Sequence, residues 1–218
     1  MHRKSIAIYN VYCGITQKSY TAREKKRPQT RMPEMTRKCD VPIPEAPEAP
    51  YPISTTYVDV IAGFGRGSSE LGIPTANVPI NDLPSIIQTL DTGVYFGWCR
   101  LKPMPGSEPK SEQRPDGRQV NYNNGTSLSD TDLTVLPVVL SLGWNPFYQN
   151  KNKTVELHII HEFATDFYGA QVKFNILGYI RPELDYTSKE ALIADIHRDI
   201  DITKEKLQLP GYQKFKDI

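Results

Sequence analysis

The apolar rhythm of the chain changes twice. Residues 1 to about 50 carry no periodic apolar pattern and end in Val41-Pro42-Ile43-Pro44-Glu45-Ala46-Pro47-Glu48-Ala49-Pro50-Tyr51-Pro52. Repeated prolines remove N–H donors and favour an extended polyproline II chain, so this run reads as a semi-rigid spacer ahead of a folded body expected over 51–218. From residue 56 the pattern turns to short strands. Residues 56–62 are β-branched and aromatic, and 93–101 place Val94, Phe96 and Trp98 on one face. Residues 133–143 form another strand, which Pro137 assigns to an edge or a bulge. Over 154–163 the alternation sets Val155, Leu157, Ile159, His161 and Phe163 against Glu156, His158, Ile160 and Glu162. Residues 170–180 are the last strand.

The second change is from period two to steps of three and four. Leu192, Ile193, Ile196, Ile200, Thr203 and Leu207 make one apolar stripe. Thr187-x-x-Glu190 has the form of a capping box, and Pro210-Gly211 closes the helix. Five or six strands, one late helix and no α/β alternation predict a mainly β chain, a small barrel with a C-terminal helix rather than a Rossmann sheet.

Between the strands at 93–101 and 133–143 lies a polar stretch, about 102–132, with Pro103, Pro105, Gly106 and Pro109 at its start and almost no apolar residues. A mobile surface excursion between two strands is expected there. Composition narrows the picture further. The net charge is +1 over 218 residues, which gives no field for recruiting nucleic acid, and an oligonucleotide-binding barrel is disfavoured. The charge is uneven: ten basic residues stand against three acidic ones before residue 41. That basic N-terminus is compatible with an organelle-targeting segment or with a plain tail, so a cytoplasmic or mitochondrial, organelle-membrane-associated location is expected. Cys13, Cys39 and Cys99 form no C-x-x-C pair, which fits a reducing, intracellular compartment. No apolar run reaches the length of a membrane span.

The chemistry concentrates at Gly63-Phe64-Gly65-Arg66-Gly67, followed by Leu71-Gly72-Ile73-Pro74-Thr75-Ala76-Asn77. Alternate glycines bring bare N–H groups close to an anion, with Arg66 adding charge. Pro74 stiffens the next few residues, so Thr75 and Asn77 point the same way as a hydroxyl and an amide oxygen, hard donors that suit Mg²⁺. No Lys-Ser or Lys-Thr follows as a Walker A loop requires. Taken alone, the glycines read as a hairpin turn, and it is their coupling to Leu71-Gly72-Ile73-Pro74-Thr75-Ala76-Asn77 that points to chemistry. Glu156 is a mid-strand carboxylate facing either solvent or a pocket. His158 and His161 point to opposite faces of a strand, which disfavours a zinc site, and His158 reads as a support for Glu156 or a packed ring.

The whole stretch resembles the signature of the riboflavin kinase (flavokinase) family in its eukaryotic, monofunctional form. The resemblance extends through 93–98, 141–146, 155–161, 166–169 and 178–183, and covers about 55 to 210. It implies a six-stranded antiparallel barrel and transfer of phosphate from ATP to the 5′-hydroxyl of riboflavin, forming FMN. It also implies Mg·ATP held by Thr75 and Asn77 with the backbone of Gly63, Phe64, Gly65, Arg66 and Gly67, and Glu156 as the catalytic base. For the flavin, Phe167, Tyr168 and Arg181 are the expected contacts, with Trp144, Phe147 and Tyr179 as further aromatic candidates and 166–169 as a flexible turn closing over the ring. Zinc is the alternative ion, a monomer is expected, and the 102–132 connection is commonly shorter in the family. A non-catalytic flavin- or nucleotide-binding barrel is the competing reading.

Overall fold

A computed structural model describes residues 41–63, 72–108, 110–114, 117–144, 153–186 and 188–218. Its elements are β1 (Ile53–Ser54), β2 (Val58–Asp59), β3 (Ala76–Val78), α1 (Ser85–Thr89), β4 (Gly93–Lys102), β5 (Lys110–Gln113), β6 (Gln119–Tyr122), β7 (Leu136–Trp144), β8 (Lys153–Ile159), β9 (Gln171–Ile176), β10 (Gly178–Arg181), α2 (Lys189–Leu207) and α3 (Pro210–Gln213). A curled antiparallel sheet runs β1-β9-β4-β7-β8-β3. β2 pairs with β9, and two residues later Ile61 bridges Asn77 of β3. Residues 58–61 thus join the two sides of the curl, and the mainly β, six-stranded architecture with a C-terminal helix is what the patterning predicts.

Period-two alternation sends side chains into two apolar layers. Tyr95, Cys99, Leu140, Leu157 and Phe174 fill the inside of the curl. Val94, Phe96, Trp98 and Val139 face outward and are covered by Leu192, Ile196, Ile200 and Leu207 of α2. The predicted strand face and the predicted helix stripe therefore meet each other.

Several local expectations shift. β7 is central, between β4 and β8, although it contains Pro137. The proline is tolerated because it is the second residue of the strand, ahead of the β7–β8 ladder, which begins at Val138 opposite Ile159. Residues 170–180 are two strands, because β9 pairs with the Cys99–Lys102 half of β4 and β10 with its first half. Asn175 fills the corner: its Oδ1 accepts from the Trp98 amide at 2.8 Å, and its Nδ2 donates to the Phe215 carbonyl at 2.8 Å. The cap of α2 is Ser188, whose side chain accepts from the Ala191 amide. Thr187 lies outside the described residues.

The packed body also starts before residue 51. Lys206 Nζ donates to the Ile43 carbonyl at 3.0 Å, and the Tyr212 hydroxyl donates to the Pro44 carbonyl at 2.9 Å. A Cβ on Gly211 would lie 2.3 Å from the Glu45 carbonyl oxygen, so the proline run lies tightly against α3. Among the described residues no helix is long and apolar enough to cross a membrane.

Candidate active site

The register of β3 on β8 builds the site. Asn77 stands directly opposite Glu156, with Ala76 opposite Leu157 and Val78 opposite Val155. Ala76, Val78, Val155 and Leu157 take the inner layer. Thr75, Asn77 and Glu156 are thereby turned to the outer face, the side that α2 covers. Glu156 is 1% exposed. The Thr75 hydroxyl donates to its Oε2 at 3.3 Å. A hydroxyl whose proton is directed to a carboxylate turns its lone pairs elsewhere, and Thr75 also lines a cavity of about 780 Å³.

Asn77 is 4% exposed, and its Nδ2 has no hydrogen-bond partner among the described residues. A buried amide N–H without a partner costs about 1–3 kcal/mol, a cost that an acceptor such as a phosphate oxygen would remove. One hydroxyl, one side-chain amide and one carboxylate are hard donors, which fit Mg²⁺ rather than a thiol-seeking ion. Cys99 sits in the other layer, its thiol protonated by burial. No cluster of three or more His, Cys, Asp or Glu able to hold a metal occurs among the described residues.

The same register continues across the sheet. Glu156 pairs with Ser141, Ser141 with Val94, and Val94 with Arg181. Arg181 therefore shares a row with Glu156 but lies three strand spacings away, about 14 Å. Its guanidinium is 1% exposed and engaged with Asp199, which is fully buried on α2. Nη2 donates to Oδ2 at 2.8 Å, Nε to both carboxylate oxygens at 3.0 and 3.1 Å, and Nη1 to the Pro182 carbonyl at 3.1 Å. Arg181, the expected flavin contact, thus also forms a buried ion pair tying β10 to α2. Sequence reasoning missed Asp199, although a charge at position 199 interrupts the apolar stripe between Ile196 and Thr203.

His158 holds the segment ahead of Thr75. Its Nδ1 lies 2.8 Å from the Pro74 carbonyl, which can only accept, so this nitrogen carries the proton. Burial lowers its pKa, opposed by the bond to Pro74 and reinforced by His197 and Lys204. A ring kept neutral in the fold binds fewer protons than the same ring unfolded. Its stabilising contribution is therefore complete above the unfolded value of 6.5 and fades as pH falls through the lower folded value. Melting temperature should accordingly drop more steeply between about pH 7 and pH 5.5 in the parent than in His158→Gln; parallel curves would contradict this.

The remaining wall of the cavity comes from 161–167. His161 and Phe163 stack edge-on with centroids 4.8 Å apart, and Phe163 meets Phe167 at 4.7 Å. Phe167 opens on the cavity, with Gly72, His197 and Lys204 elsewhere on its wall. Tyr168 packs into the inner layer beside Tyr122 and is not among the lining residues. The strand ends at Ile159, so His161 and Phe163 lie on the following turn and not on its inner face. The 166–169 turn is tethered: Gly169 N donates to the Val60 carbonyl at 2.9 Å and Asn124 N to the Tyr168 carbonyl at 2.8 Å. Gly169 has φ +81°, and a Cβ there would fall 2.1 Å from Asn124 Oδ1, so glycine is required.

Trp144 is 45% exposed at the end of β7, under the Lys153 ammonium at 5.2 Å. Tyr179 packs on Tyr95. Gly63 is buried at the mouth of the glycine stretch. Phe64, Gly65, Arg66, Gly67 and Phe147 lie outside the described residues.

A family model described as flavokinase, riboflavin kinase, matches residues 49–207. The chain is 75% identical over 183 residues to riboflavin kinase of Kluyveromyces lactis, covering 84% of this chain and 99% of that relative. It is 60% identical over 182 residues to the Saccharomyces cerevisiae enzyme, covering 83% and 84%. Among solved structures it is similar to riboflavin kinase from Trypanosoma brucei, with TM-score 0.56 and 29% identity over 78% of this chain and 89% of that one.

Proposed function

The chain belongs to the riboflavin kinase family, whose members convert riboflavin to FMN, and we propose that it does so as an ATP:riboflavin 5′-phosphotransferase with Mg²⁺ at Thr75 and Asn77 and Glu156 as general base. One observation carries the residue assignments: the Thr75 hydroxyl, the Asn77 amide and the Glu156 carboxylate share one buried face, and of the three Thr75 opens on the cavity.

Phosphoryl transfer asks a protein chiefly for placement, charge compensation and a proton acceptor. The nucleotide takes the cavity. Gly72 places the end of the glycine stretch on its wall, Phe163 offers a flat apolar surface to a base, and His197 and Lys204 stand at its side. Mg²⁺, when bound, neutralises charge on the phosphate oxygens. The Thr75 hydroxyl and the Asn77 side chain would hold it, and the Pro74 carbonyl, fixed by His158, keeps the segment that carries them in place. Glu156 accepts the proton of the riboflavin 5′-hydroxyl as the hydroxyl oxygen attacks the γ-phosphorus and the bond from that phosphorus to the bridging oxygen breaks, releasing ADP. For the flavin, the family likeness nominates Phe167, Tyr168 and Arg181. Of these Phe167 opens on the cavity, while Arg181 contributes by securing α2 over the catalytic row.

The assay is direct. Purified protein mixed with riboflavin and Mg·ATP should release FMN and ADP, resolved by chromatography. Thr75→Ala and Asn77→Ala should each raise the Mg²⁺ concentration at half-maximal rate by about tenfold or more. Normal flavin binding without turnover in the parent would favour a non-catalytic barrel, and an unchanged Mg²⁺ requirement in both variants would remove the metal assignment.

A further inference from the structure

The polar excursion between β4 and β7 does not hang in solvent. Its β5–β6 hairpin closes on Val120, which is 6% exposed and belongs to the inner apolar layer. Asn123 and Asp132 then reach the back of the cavity wall at Asp166 and His161, while Tyr122 and Asn124 bond to Ala62 and Tyr168 outside it. The Tyr122 hydroxyl accepts from the Ala62 amide at 3.2 Å, one residue before the glycine stretch, and donates to Glu112 at 2.9 Å. The Asn123 side chain donates to the Asp166 carbonyl, and the Asn124 amide donates to the Tyr168 carbonyl at 2.8 Å. Asp132 Oδ1 lies 2.7 Å from His161 Nε2.

That last contact has a defined chemistry. The other oxygen of Asp132 accepts from the Ser129 amide at 2.7 Å and from its hydroxyl at 2.8 Å. Burial alone would raise the Asp132 pKa, but the Ser129 bonds and His161 outweigh it and hold the carboxyl below its usual value. An ionised carboxylate only accepts, so His161 carries its proton on Nε2 and turns Nδ1 away from Asp132. The same ring supports Phe163, and Phe163 supports Phe167.

We infer that the 110–132 excursion is a brace for the substrate cavity, in which Asp132 and Asn123 fix the 161–167 wall, Asn124 fixes the Tyr168 carbonyl next to it and Tyr122 fixes Ala62 beside the Ile61–Asn77 bridge, so that these positioning residues set affinity for the substrate in the cavity. None of the four lines the cavity itself. The identity of that substrate, the nucleotide, rests on the function proposed above.

The test uses the full chain and steady-state kinetics with each substrate varied in turn. Asp132→Ala and Tyr122→Phe should each raise KM for Mg·ATP by about tenfold with kcat within about twofold and riboflavin KM unchanged. Asp132→Asn, which keeps an acceptor for His161, should recover most of the loss. Thr165→Trp, which fills the cavity from its rim, identifies the occupant independently. If Thr165→Trp and Asp132→Ala both raise riboflavin KM instead, the brace stands and the nucleotide assignment falls. If Thr165→Trp raises one KM while Asp132→Ala and Tyr122→Phe leave that KM unchanged, the brace is overturned. Loss of Asp132→Ala to aggregation does not rescue it, because Tyr122→Phe keeps the ring packing and removes only the hydroxyl.

Discussion

Replacing Glu156 by Gln should leave both substrates bound and slow FMN formation by about 10²–10⁴-fold, the usual contribution of a general base. The substitution is chosen for what it preserves. Glutamine has the same shape, its carbonyl oxygen can still accept from Thr75, and the pairing with Asn77 and Ser141 is made by backbone. What disappears is the capacity to take a proton at neutral pH. A loss confined to kcat, with KM for riboflavin and Mg·ATP within about twofold, would identify a group acting in the transition state. A rate within about twofold of the parent would remove Glu156 from the chemistry and leave it as a buried partner of Thr75. Glu156→Leu is the weaker test, because it also strips the acceptor from Thr75 and so mixes catalysis with the position of the metal site.

Much of this arrangement can be read from the sequence because it depends on local rules. Alternation alone separates Glu156 from Leu157, and the same rule aims Thr75 and Asn77 together. The three- and four-residue stripe marks the buried side of α2, where Leu192, Ile196, Ile200 and Leu207 lie. The hidden part depends on partners far away in the chain. The register that sets Asn77 opposite Glu156 spans about eighty residues, and no propensity encodes it. The role of His158 comes from the Pro74 carbonyl, 84 residues away in sequence. The excursion at 102–132 reads as featureless because polar side chains that hydrogen-bond to a distant backbone carry the same letters as those that bind water. Asn123 and Asn124, a turn pair by composition, hold the 166–169 turn instead. The carboxylate partner of Arg181 is hidden for a related reason: it comes from α2.

That pair yields the largest expected effect on stability. Asp199→Ala should cost about 3–5 kcal/mol, because it leaves a guanidinium buried without its counter-charge. The pair has no access to the water that softens surface ion pairs, with side chains 1% and 0% exposed and three donor contacts to one carboxylate. For a body of this size the loss corresponds to a fall of about 6–20 °C in melting temperature. The cost comes from the stranded charge and much less from the missing attraction, so removing both partners should cost little. Arg181→Met combined with Asp199→Leu fills a similar volume with apolar atoms in a layer already built from Val94, Ile196 and Ile200, and should recover most of the stability lost by Asp199→Ala. Thermal unfolding of the two variants beside the parent separates the alternatives. Equal losses in both would mean that the pair contributes net attraction, whereas a stable Asp199→Ala would mean that Arg181 turns out to solvent, opening the seam between β10 and α2 that closes over the catalytic row.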